Sequence, residues 1–224
     1  MKNTGGSEAA KRRAGEAAAE EVADGMVVGL GTGSTAAHAI RALGDADLAI
    51  EGVPTSFQSR QRAIEAGITL TTLEEASVDI AIDGADQVAG GHLVKGGGAA
   101  HAREKLVDAS ADRFVVVADP SKEADVLDHP VPVEVLPDAY TVVAGRVRDL
   151  GGDPDLRDAG QKDGPVVTDN GNVVLDCAFG QIGSPAALAA SLSALPGVLD
   201  HGLFVGMADA VYVGTADGVR VTEP

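Results

Sequence analysis

Cysteine and aromatic residues are almost missing from this chain of 224 residues. The single cysteine, Cys177, excludes an internal disulfide framework. Tryptophan is absent and aromatic residues make up 3% of the chain, so a ligand platform built from large rings is not expected. Hydrophobic residues still account for 45%, which is enough to bury a sizeable core and excludes a disordered chain.

Long apolar runs are missing as well. No stretch reaches the roughly 18 residues that a membrane-spanning helix needs. Residues 1–10 are polar and rich in glycine and alanine, without the apolar segment of a secretory signal peptide. From these features we expect a soluble cytoplasmic protein that does not associate with membranes.

Positive charge is scarce, since 17 lysines and arginines stand against 34 aspartates and glutamates, a formal net charge of −17. This balance argues against nucleic acid as a partner, because its phosphates would be repelled. A phosphorylated ligand would need local donors that overcome the overall field. The acidic composition is typical of proteins in a salty interior, where the screening length falls to about 3 Å at molar salt.

Strands and helices alternate along the first part of the chain. The predicted helices are residues 8–22, 35–43, 56–66 and 99–108, and the predicted strands are residues 26–30, 48–53, 68–71, 78–82 and 114–118. This alternation predicts an α/β fold with a Rossmann-like, doubly wound, mostly parallel sheet. We assign residues 1–129 and 206–224 to this domain, with a strand at 210–214 returning to its sheet.

Residues 130–205 predict a smaller domain of another kind. The expected elements are a strand at 131–135, a helix at 139–150, strands at 166–168 and 173–176 joined by a hairpin at Asn170-Gly171, a helix beginning at Ser184-Pro185 and a strand at 198–204. The order β-α-β-β-α-β is the ferredoxin-like α+β pattern.

A glycine-rich turn, Gly-Leu-Gly-Thr-Gly-Ser-Thr at 29–35, joins a buried strand to a helix. Its amides and hydroxyls, with the positive end of the helix, can hold an anion. It lacks the Gly-Lys-Ser/Thr of a nucleotide P-loop, and Ser34 replaces the third glycine of the dinucleotide fingerprint. A phosphate loop, a dinucleotide site and a purely structural turn stay open from the residues alone.

Acidic side chains follow another buried strand, in Asp83-Gly84-Ala85-Asp86. Two carboxylates at this spacing can bind vicinal hydroxyls or act as acid and base. The alternative is a turn with aspartate caps. The five histidines form no motif with metal-ligand spacing, so no metal is expected.

Two further stretches can carry chemistry. Lys95-Gly96-Gly97-Gly98 precedes a helix, and three glycines are costly in backbone entropy, which indicates a ligand-shaped loop. Lys95 can neutralise an oxyanion, and Glu104, just over a turn into the helix, can face the same cleft. A solvated helix carboxylate is the alternative for Glu104. Lys122, after the strand at 114–118, can reach a phosphate or hydroxyl, or can be an ordinary surface charge.

The order of these motifs is more specific than any one of them. Gly-Thr-Gly-Ser-Thr (31–35), Asp-Gly-Ala-Asp (83–86), Lys-Gly-Gly-Gly-Ala-Ala (95–100), Arg-Glu-Lys (103–105) and Ala-Asp-Pro-Ser-Lys (118–122) are followed by Pro-Val-Glu-Val (132–135), Thr-Asp-Asn-Gly-Asn (168–172) and Gly-Leu-Phe (202–204). The chain closely resembles ribose-5-phosphate isomerase of the A type from about residue 11 to 220. The resemblance implies interconversion of D-ribose 5-phosphate and D-ribulose 5-phosphate in the pentose phosphate pathway, without a metal or cofactor, by a homodimer or homotetramer.

The resemblance also implies roles for individual residues. Glu104 matches the proton acceptor. As a separate hypothesis, we expect Asp83, ahead of Asp86, to assist ring opening and Lys95 to stabilise the enediolate oxygen. The expected substrate-binding residues are Thr32, Gly33, Ser34, Thr35, Asp83, Gly84, Ala85, Asp86, Lys95, Gly96, Gly97, Gly98, Lys122 and Lys11. Two other classes remain as alternatives: a sugar-phosphate-sensing module of a regulator, and a coenzyme A transferase with a covalent glutamate. The first would be expected to carry a DNA-binding segment, and the second a further large domain.

Overall fold

The computed structural model describes residues 6–161 and 163–224, and the chain divides into two compact units. The larger unit comprises residues 6–85, 103–123 and 206–224, and the smaller unit residues 86–102 and 124–205. The predicted domain ranges also include residues 1–5 and Lys162, which lie outside the described residues.

The helices, in chain order, are α1 (Glu8–Ala19), α2 (Ala36–Asp45), α3 (Phe57–Glu65), α4 (His101–Ser110), α5 (Tyr140–Asp149) and α6 (Pro185–Ser193). The strands are β1 (Val27–Leu30), β2 (Glu51–Pro54), β3 (Thr69–Leu70), β4 (Val78–Gly84), β5 (Gln87–Ala89), β6 (His92–Val94), β7 (Ala111–Ala118), β8 (Val131–Val135), β9 (Asp153–Leu156), β10 (Val173–Ala178), β11 (Val198–His201), β12 (Leu203–Val205), β13 (Ala210–Gly214) and β14 (Val219–Thr222). Within the described ranges, none of the helices is long and apolar enough to cross a membrane.

The larger unit is built around a seven-stranded sheet with the order β14-β13-β7-β4-β1-β2-β3. Neighbouring strands are parallel except β13 and β14. The chain order reverses beside β1, because β2 and β3 extend the sheet to one side while β4, β7 and β13 extend it to the other. This arrangement confirms the predicted α/β fold with a Rossmann-like parallel sheet.

Successive residues of β1 bury opposite faces of this sheet. Val28 and Leu30 belong to the hydrophobic cluster formed with α1 and α2. Gly29, between them, faces α4, and a Cβ there would lie 2.8 Å from both Ala81 Cβ and Val107 Cγ1. Helices therefore cover both faces of the sheet, so a ligand is expected to bind at the ends of the strands.

An ion pair ties the end of α1 to the sheet. Glu21 accepts a 2.6 Å hydrogen bond from Arg113 Nε on β7 and another from the Tyr212 hydroxyl on β13. Burial by itself raises the pKa of Glu21, but the bonds from Arg113 and Tyr212 outweigh it, so the pKa lies below its ordinary value. Burial and the bond to Glu21 raise the pKa of Tyr212 to about 12.

We expect Tyr212→Phe to destabilise the protein at neutral pH but not at strongly alkaline pH. The folded pKa of Tyr212 exceeds its ordinary value of 10.0, so the stabilisation is complete below pH 10 and is lost as the pH rises to about 12. Loss of a hydrogen bond to a charged group should lower the free energy of unfolding by about 1.5 kcal/mol. Urea unfolding of both proteins across this range measures the difference, and a difference that stays constant would contradict the assignment.

The smaller unit contains a four-stranded antiparallel sheet with the order β11-β8-β10-β9. Numbered within their own β-α-β-β-α-β segment, these strands have the order 4-1-3-2. Valine and leucine side chains of the sheet pack against Val143 and Val147 of α5 and Leu192 of α6. The second part of the predicted fold, a smaller antiparallel α+β unit, is therefore confirmed.

The chain turns back at Asn170-Gly171 as predicted, with an antiparallel bridge from Val167 to Val173 and a 2.8 Å bond from Thr168 N to Asn172 O. The predicted strand at 166–168 is limited to this bridge, and the strand that pairs along β10 in its place is β9. A buried carboxylate supports the turn. Oε1 of Glu134 accepts hydrogen bonds from Thr168 Oγ1 at 2.7 Å, Asn170 Nδ2 at 3.0 Å and Asn172 Nδ2 at 2.9 Å.

The division of the chain also differs from the boundary that we placed at residue 130, because the smaller unit takes in residues 86–102 and 124–129. The physical reason is a second, three-stranded sheet, β12-β6-β5. The predicted single strand at 198–204 is interrupted at Gly202, which donates to Pro132 O at 2.7 Å and accepts from Lys95 N at 2.8 Å. The chain thereby leaves the sheet of β8 and enters the sheet of β6.

Candidate active site

The candidate residues of the larger unit follow the carboxyl ends of neighbouring parallel strands. Leu30 of β1 is in register with Pro54 of β2 and with Ile82 of β4, and Gly84 of β4 is in register with Val117 of β7. The segments that follow these four strands therefore meet at one edge of the sheet. Because the chain order reverses between β1 and β4, this edge is where open α/β sheets bind ligands.

The loop at residues 31–35, which we call the anion loop, is held in place by hydrogen bonds from its backbone amides to β4. Gly31 N donates to Ile82 O at 3.0 Å, and Thr32 N donates to Asp83 Oδ1 at 2.9 Å. Gly33 has a φ of +113°, which favours glycine, and Thr35 directly precedes α2. The structure thus places Thr32, Gly33, Ser34 and Thr35 at the amino end of a helix, the position that favours an anion.

Residues 55–58, at the start of α3, support this loop, and the sequence did not single them out. Thr32 Oγ1 lies 2.9 Å from Thr55 Oγ1 and donates to Ser56 Oγ at 2.7 Å. Gly33 N donates to Gln58 Oε1 at 3.2 Å. The Thr32 hydroxyl therefore organises the loop, and an anion that uses the Gly33 amide must displace the Gln58 side chain. The usable signal was the position of residues 55–58 directly after a predicted strand.

Asp83 is fully buried at the end of β4. Its Oδ1 accepts from Thr32 N at 2.9 Å and from Gly84 N at 2.6 Å. Gly31 packs so closely on this carboxylate that a Cβ would collide with it. Oδ1 is occupied by the loop, so any contact of Asp83 with a sugar goes through Oδ2. Ala85 follows on the chain and is half-buried.

Glu104 lies in the first turn of α4 and is only 4% exposed. The preceding residue fixes this turn, because Arg103 Nε donates to Pro54 O, at the carboxyl end of β2, at 3.0 Å. Arg103 is thus a structural partner of β2. Its bond anchors the first turn of α4, which carries Glu104, to the carboxyl end of β2.

The two predicted lysines of the larger unit are both buried. Lys122 ends the short 3-10 helix Pro120–Lys122, whose first turn is capped by Asp119 Oδ1 accepting from Ser121 N at 2.9 Å. Lys11, on α1, donates to Glu8 Oε1 at 2.9 Å. This bond, and then a weaker one from His38, holds the pKa of Glu8 below its usual range.

The bond between Glu8 and His38 also places Lys11. His38 is in the first turn of α2, its Nε2 lies 3.4 Å from Glu8 Oε2, and Glu8 binds Lys11 through its other oxygen. Gly15, one turn along α1, packs directly against Thr35 O and Ala39 N. Lys11 therefore lies beside the first turn of the helix that follows the anion loop.

In the smaller unit, Lys95 follows β6 and is 2% exposed. Its Nζ lies 5.3 Å from the centroid of the Phe204 ring on β12, a cation–π distance. Its backbone N is bonded to Gly202 O at 2.8 Å, and a Cβ at Gly202 would collide with the Lys95 carbonyl. The Gly-Leu-Phe motif at 202–204 therefore shapes the position of Lys95.

Close contacts leave no room for a side chain at Gly96 and Gly97. Gly96 has a φ of +105°, and a Cβ on it would lie 2.7 Å from His101 Nδ1. A Cβ on Gly97 would lie 2.7 Å from Asp86 Oδ1. Asp86 Oδ2 accepts from Gly97 N at 2.6 Å, so Asp86 fixes this loop. Gly98 completes the loop, and Ala99 N donates back to Gly96 O at 2.9 Å.

The structure thus joins some of the predicted residues within each unit. Thr32 and Asp83 are in direct contact in the larger unit, and Asp86 and Gly97 in the smaller one. Across residues 6–161 and 163–224, no group of three or more His, Cys, Asp or Glu side chains is placed to hold a metal ion. That the reaction needs no metal or cofactor stays a prediction.

Comparisons with known proteins agree with the motifs. Residues 51–218 match the model of the family described as ribose 5-phosphate isomerase A (phosphoriboisomerase A). The chain is 72% identical to a ribose-5-phosphate isomerase A of Halobacterium salinarum over 100% of both chains. A solved ribose 5-phosphate isomerase A of Methanocaldococcus jannaschii superposes with a TM-score of 0.92 at 44% identity, covering 96% of this chain and 98% of that one.

A further solved structure is a D-ribose-5-phosphate isomerase in complex with phospho-erythronic acid, with a TM-score of 0.92 and 40% identity over 96% of this chain and 97% of that one. These matches span nearly the whole length of the chain and of its relatives. They confirm the resemblance that the ordered motifs predicted. The chain therefore belongs to the ribose 5-phosphate isomerase A family.

Proposed function

We propose that this chain interconverts D-ribose 5-phosphate and D-ribulose 5-phosphate through an enediolate, in the pentose phosphate pathway. The observation that carries the proposal is a buried carboxylate, Glu104, in a helix turn that Arg103 anchors to the sheet edge of the anion loop. A base and an anion site on one edge are what an aldose–ketose isomerase of a phosphorylated sugar needs. A relative's complex with phospho-erythronic acid, a phosphorylated sugar acid, supports the same class of ligand.

The proposed reaction begins with ring opening, because the cyclic hemiacetal has no carbonyl group. Asp83, through Oδ2, assists transfer of the hydroxyl proton. Glu104 then takes the proton from C2 of the open aldose, and the electron pair of that C–H bond forms the enediolate. Glu104 returns the proton to C1, while the hydroxyl proton moves from O2 to O1, which yields the ketose.

The remaining side chains have supporting roles in the proposal. Lys95 and loop amides stabilise the enediolate oxygen, a contribution of about 2.7–4 kcal/mol for one donor. Ser34, Thr35, Lys11 and Lys122 bind the phosphate and hydroxyl groups. The phosphate holds the reacting end of the sugar in place and so contributes through orientation. We further propose a cytoplasmic homodimer or homotetramer that works at high salt, where its acidic surface repels an anionic substrate little.

Incubation with ribose 5-phosphate and detection of the ketose is the experiment that tests this function. We expect conversion without added metal or cofactor and without coenzyme A. Binding of the sugar phosphate without conversion would favour a sensing module. Acyl transfer from a coenzyme A thioester would favour a transferase.

The anion loop gives a separate prediction. The double substitution Ser34→Ala and Thr35→Ala removes two hydroxyl donors from the amino end of α2, and each bond to a charged group is worth about 1.5–3 kcal/mol. We expect KM for ribose 5-phosphate to rise at least about tenfold with little change in kcat. Steady-state kinetics measure the effect.

Unphosphorylated ribose is the matched control, because it cannot use a phosphate site. Its kcat/KM should be the same in the double variant and in the wild type. An equal loss with both sugars would contradict the phosphate role of the loop.

A further inference from the structure

An arginine of the ferredoxin-like sheet lies against the triple-glycine loop. Arg157 directly follows β9, and its side chain is 12% exposed. Its Nη1 donates to Gly96 O at 2.9 Å and to Gly97 O at 3.3 Å. Nothing in the ordered motifs of the sequence pointed to this residue.

An ion pair with Asp176 holds the guanidinium group in place. Arg157 Nε donates to Asp176 Oδ2 at 2.8 Å, and Nη2 donates to Asp176 Oδ1 at 2.5 Å. Asp155 of β9 and Asp176 of β10 are cross-strand partners, so the sheet sets the position of the carboxylate. The fork-to-fork pair leaves Nη1 as the arm that reaches the loop.

One peptide group of the loop is held at both ends. The carbonyl of Gly96 and the N–H of Gly97 belong to the same peptide and point in opposite directions, because the peptide is planar and trans. The carbonyl accepts from Arg157, and the N–H donates to Asp86 Oδ2 at 2.6 Å. Rotation of this peptide would break a charge-assisted bond on each side.

Holding this peptide in place matters because ordering a glycine costs more conformational entropy than ordering any other residue. Fixing one residue costs about 1–2 kcal/mol, and glycine has more conformations to lose than any other residue. Lys95 precedes the loop directly, and its ammonium is held over the Phe204 ring. An unclamped peptide next to Lys95 would let the loop amides sample several orientations.

We infer that Arg157, oriented by Asp176, is a positioning residue for the isomerisation. It fixes the amides after Lys95 in the orientation that stabilises the enediolate. The inference rests on the proposed function, since it names a residue that supports the same loop. Arg157 does not touch the reacting atoms in this assignment. It acts through the Gly96–Gly97 peptide, and in this way the ferredoxin-like sheet contributes to catalysis.

The test is Arg157→Lys, which keeps the charge but cannot bind a carboxylate in a fork and reach two carbonyls as well. We expect kcat to fall at least about tenfold with KM changed less than about threefold, because a misplaced oxyanion donor is lost mainly in the transition state. The inhibition constant of inorganic phosphate should stay within about twofold, since the anion loop belongs to the other unit. Hydrogen exchange of the amides at 96–99 should become faster.

The matched control is Arg146→Lys on α5, an arginine of the same unit. Arg146 and Asp149 form a surface pair at 3.5 Å, with side chains 65% and 70% exposed, and exposed pairs contribute little. We expect unchanged kcat, KM and exchange. If Arg157→Lys behaves like this control, the inference is overturned.

Asp176→Asn keeps the inference testable if Arg157→Lys does not fold. It weakens the pair without removing the guanidinium, so we expect a smaller loss of kcat and faster exchange at the same amides. Normal kcat and normal exchange in this variant would overturn the inference. A wild type that does not convert ribose 5-phosphate would overturn the proposed function and with it the catalytic role of Arg157. The two failures are distinguishable, because faster exchange in Arg157→Lys tests the clamp on the loop without turnover.

Discussion

Replacing Glu104 by glutamine is expected to lower kcat by about 10²–10⁴-fold, the contribution of a positioned general base. Glutamine keeps the size and the hydrogen-bonding reach of the side chain but cannot accept the C2 proton. Because Glu104 is only 4% exposed, thermal unfolding of the variant is measured as well, to separate a loss of turnover from a loss of the fold. Steady-state kinetics with ribose 5-phosphate measure the loss, and KM should change little, since the base acts in the transition state.

The control for this variant is Glu65→Gln on α3, a glutamate that is about half exposed and paired with Arg62 at 3.3 Å. It should keep full activity. Solvent deuterium provides an independent measurement, because a proton held by Glu104 exchanges with water before it returns to C1. Unchanged turnover in Glu104→Gln would remove Glu104 from its role, and a product without any solvent deuterium would favour a hydride shift instead.

Replacing Lys95 by methionine should have the second largest effect, a loss of about 10²–10³-fold in kcat, as for the removal of one oxyanion donor. Methionine has a similar volume and keeps contact with the Phe204 ring, over which Nζ lies at 5.3 Å. Thermal unfolding of the variant, measured beside its kinetics, separates a loss of turnover from a loss of the fold.

Lys105→Met on α4 is the control, since Lys105 is half-buried and close in sequence but has no predicted role in the reaction. It should retain kcat within about twofold. An equal loss in both lysine variants would point to a general charge effect and would contradict a specific role for Lys95. If Lys95→Met keeps its turnover, Lys95 does not stabilise the enediolate, and this role falls to the loop amides alone.

Much of the fold followed from the sequence because its signals are local. Continuous apolar runs gave the parallel strands, and the glycine-rich and acidic turns directly after them fell at the carboxyl edge of the sheet. Thr32 and Asp83 were thus predicted at one edge, and a 2.9 Å bond joins them. The hairpin at residues 87–94 was not predicted, because pattern alone does not reveal two strands of three residues each.

The parts that the sequence did not reveal depend on contacts between distant residues. Arg157 lies some 60 residues from the glycines that it contacts, and an isolated arginine before a loop carries no local signal. The turn at 168–172 is closed by an antiparallel bridge, as Asn-Gly predicts, but its bonds to the Glu134 carboxylate join residues that are 34 or more apart and carry no local signal.

The contact between Gly31 and Asp83 limits which substitutions this chain can accept. No side chain smaller than aspartate carries a carboxylate, and no residue except glycine lacks the Cβ that would collide with it. The two positions are therefore coupled in this chain. A side chain at position 31 would collide with the carboxylate at position 83, so a substitution at a residue with no reactive group would displace an acidic one.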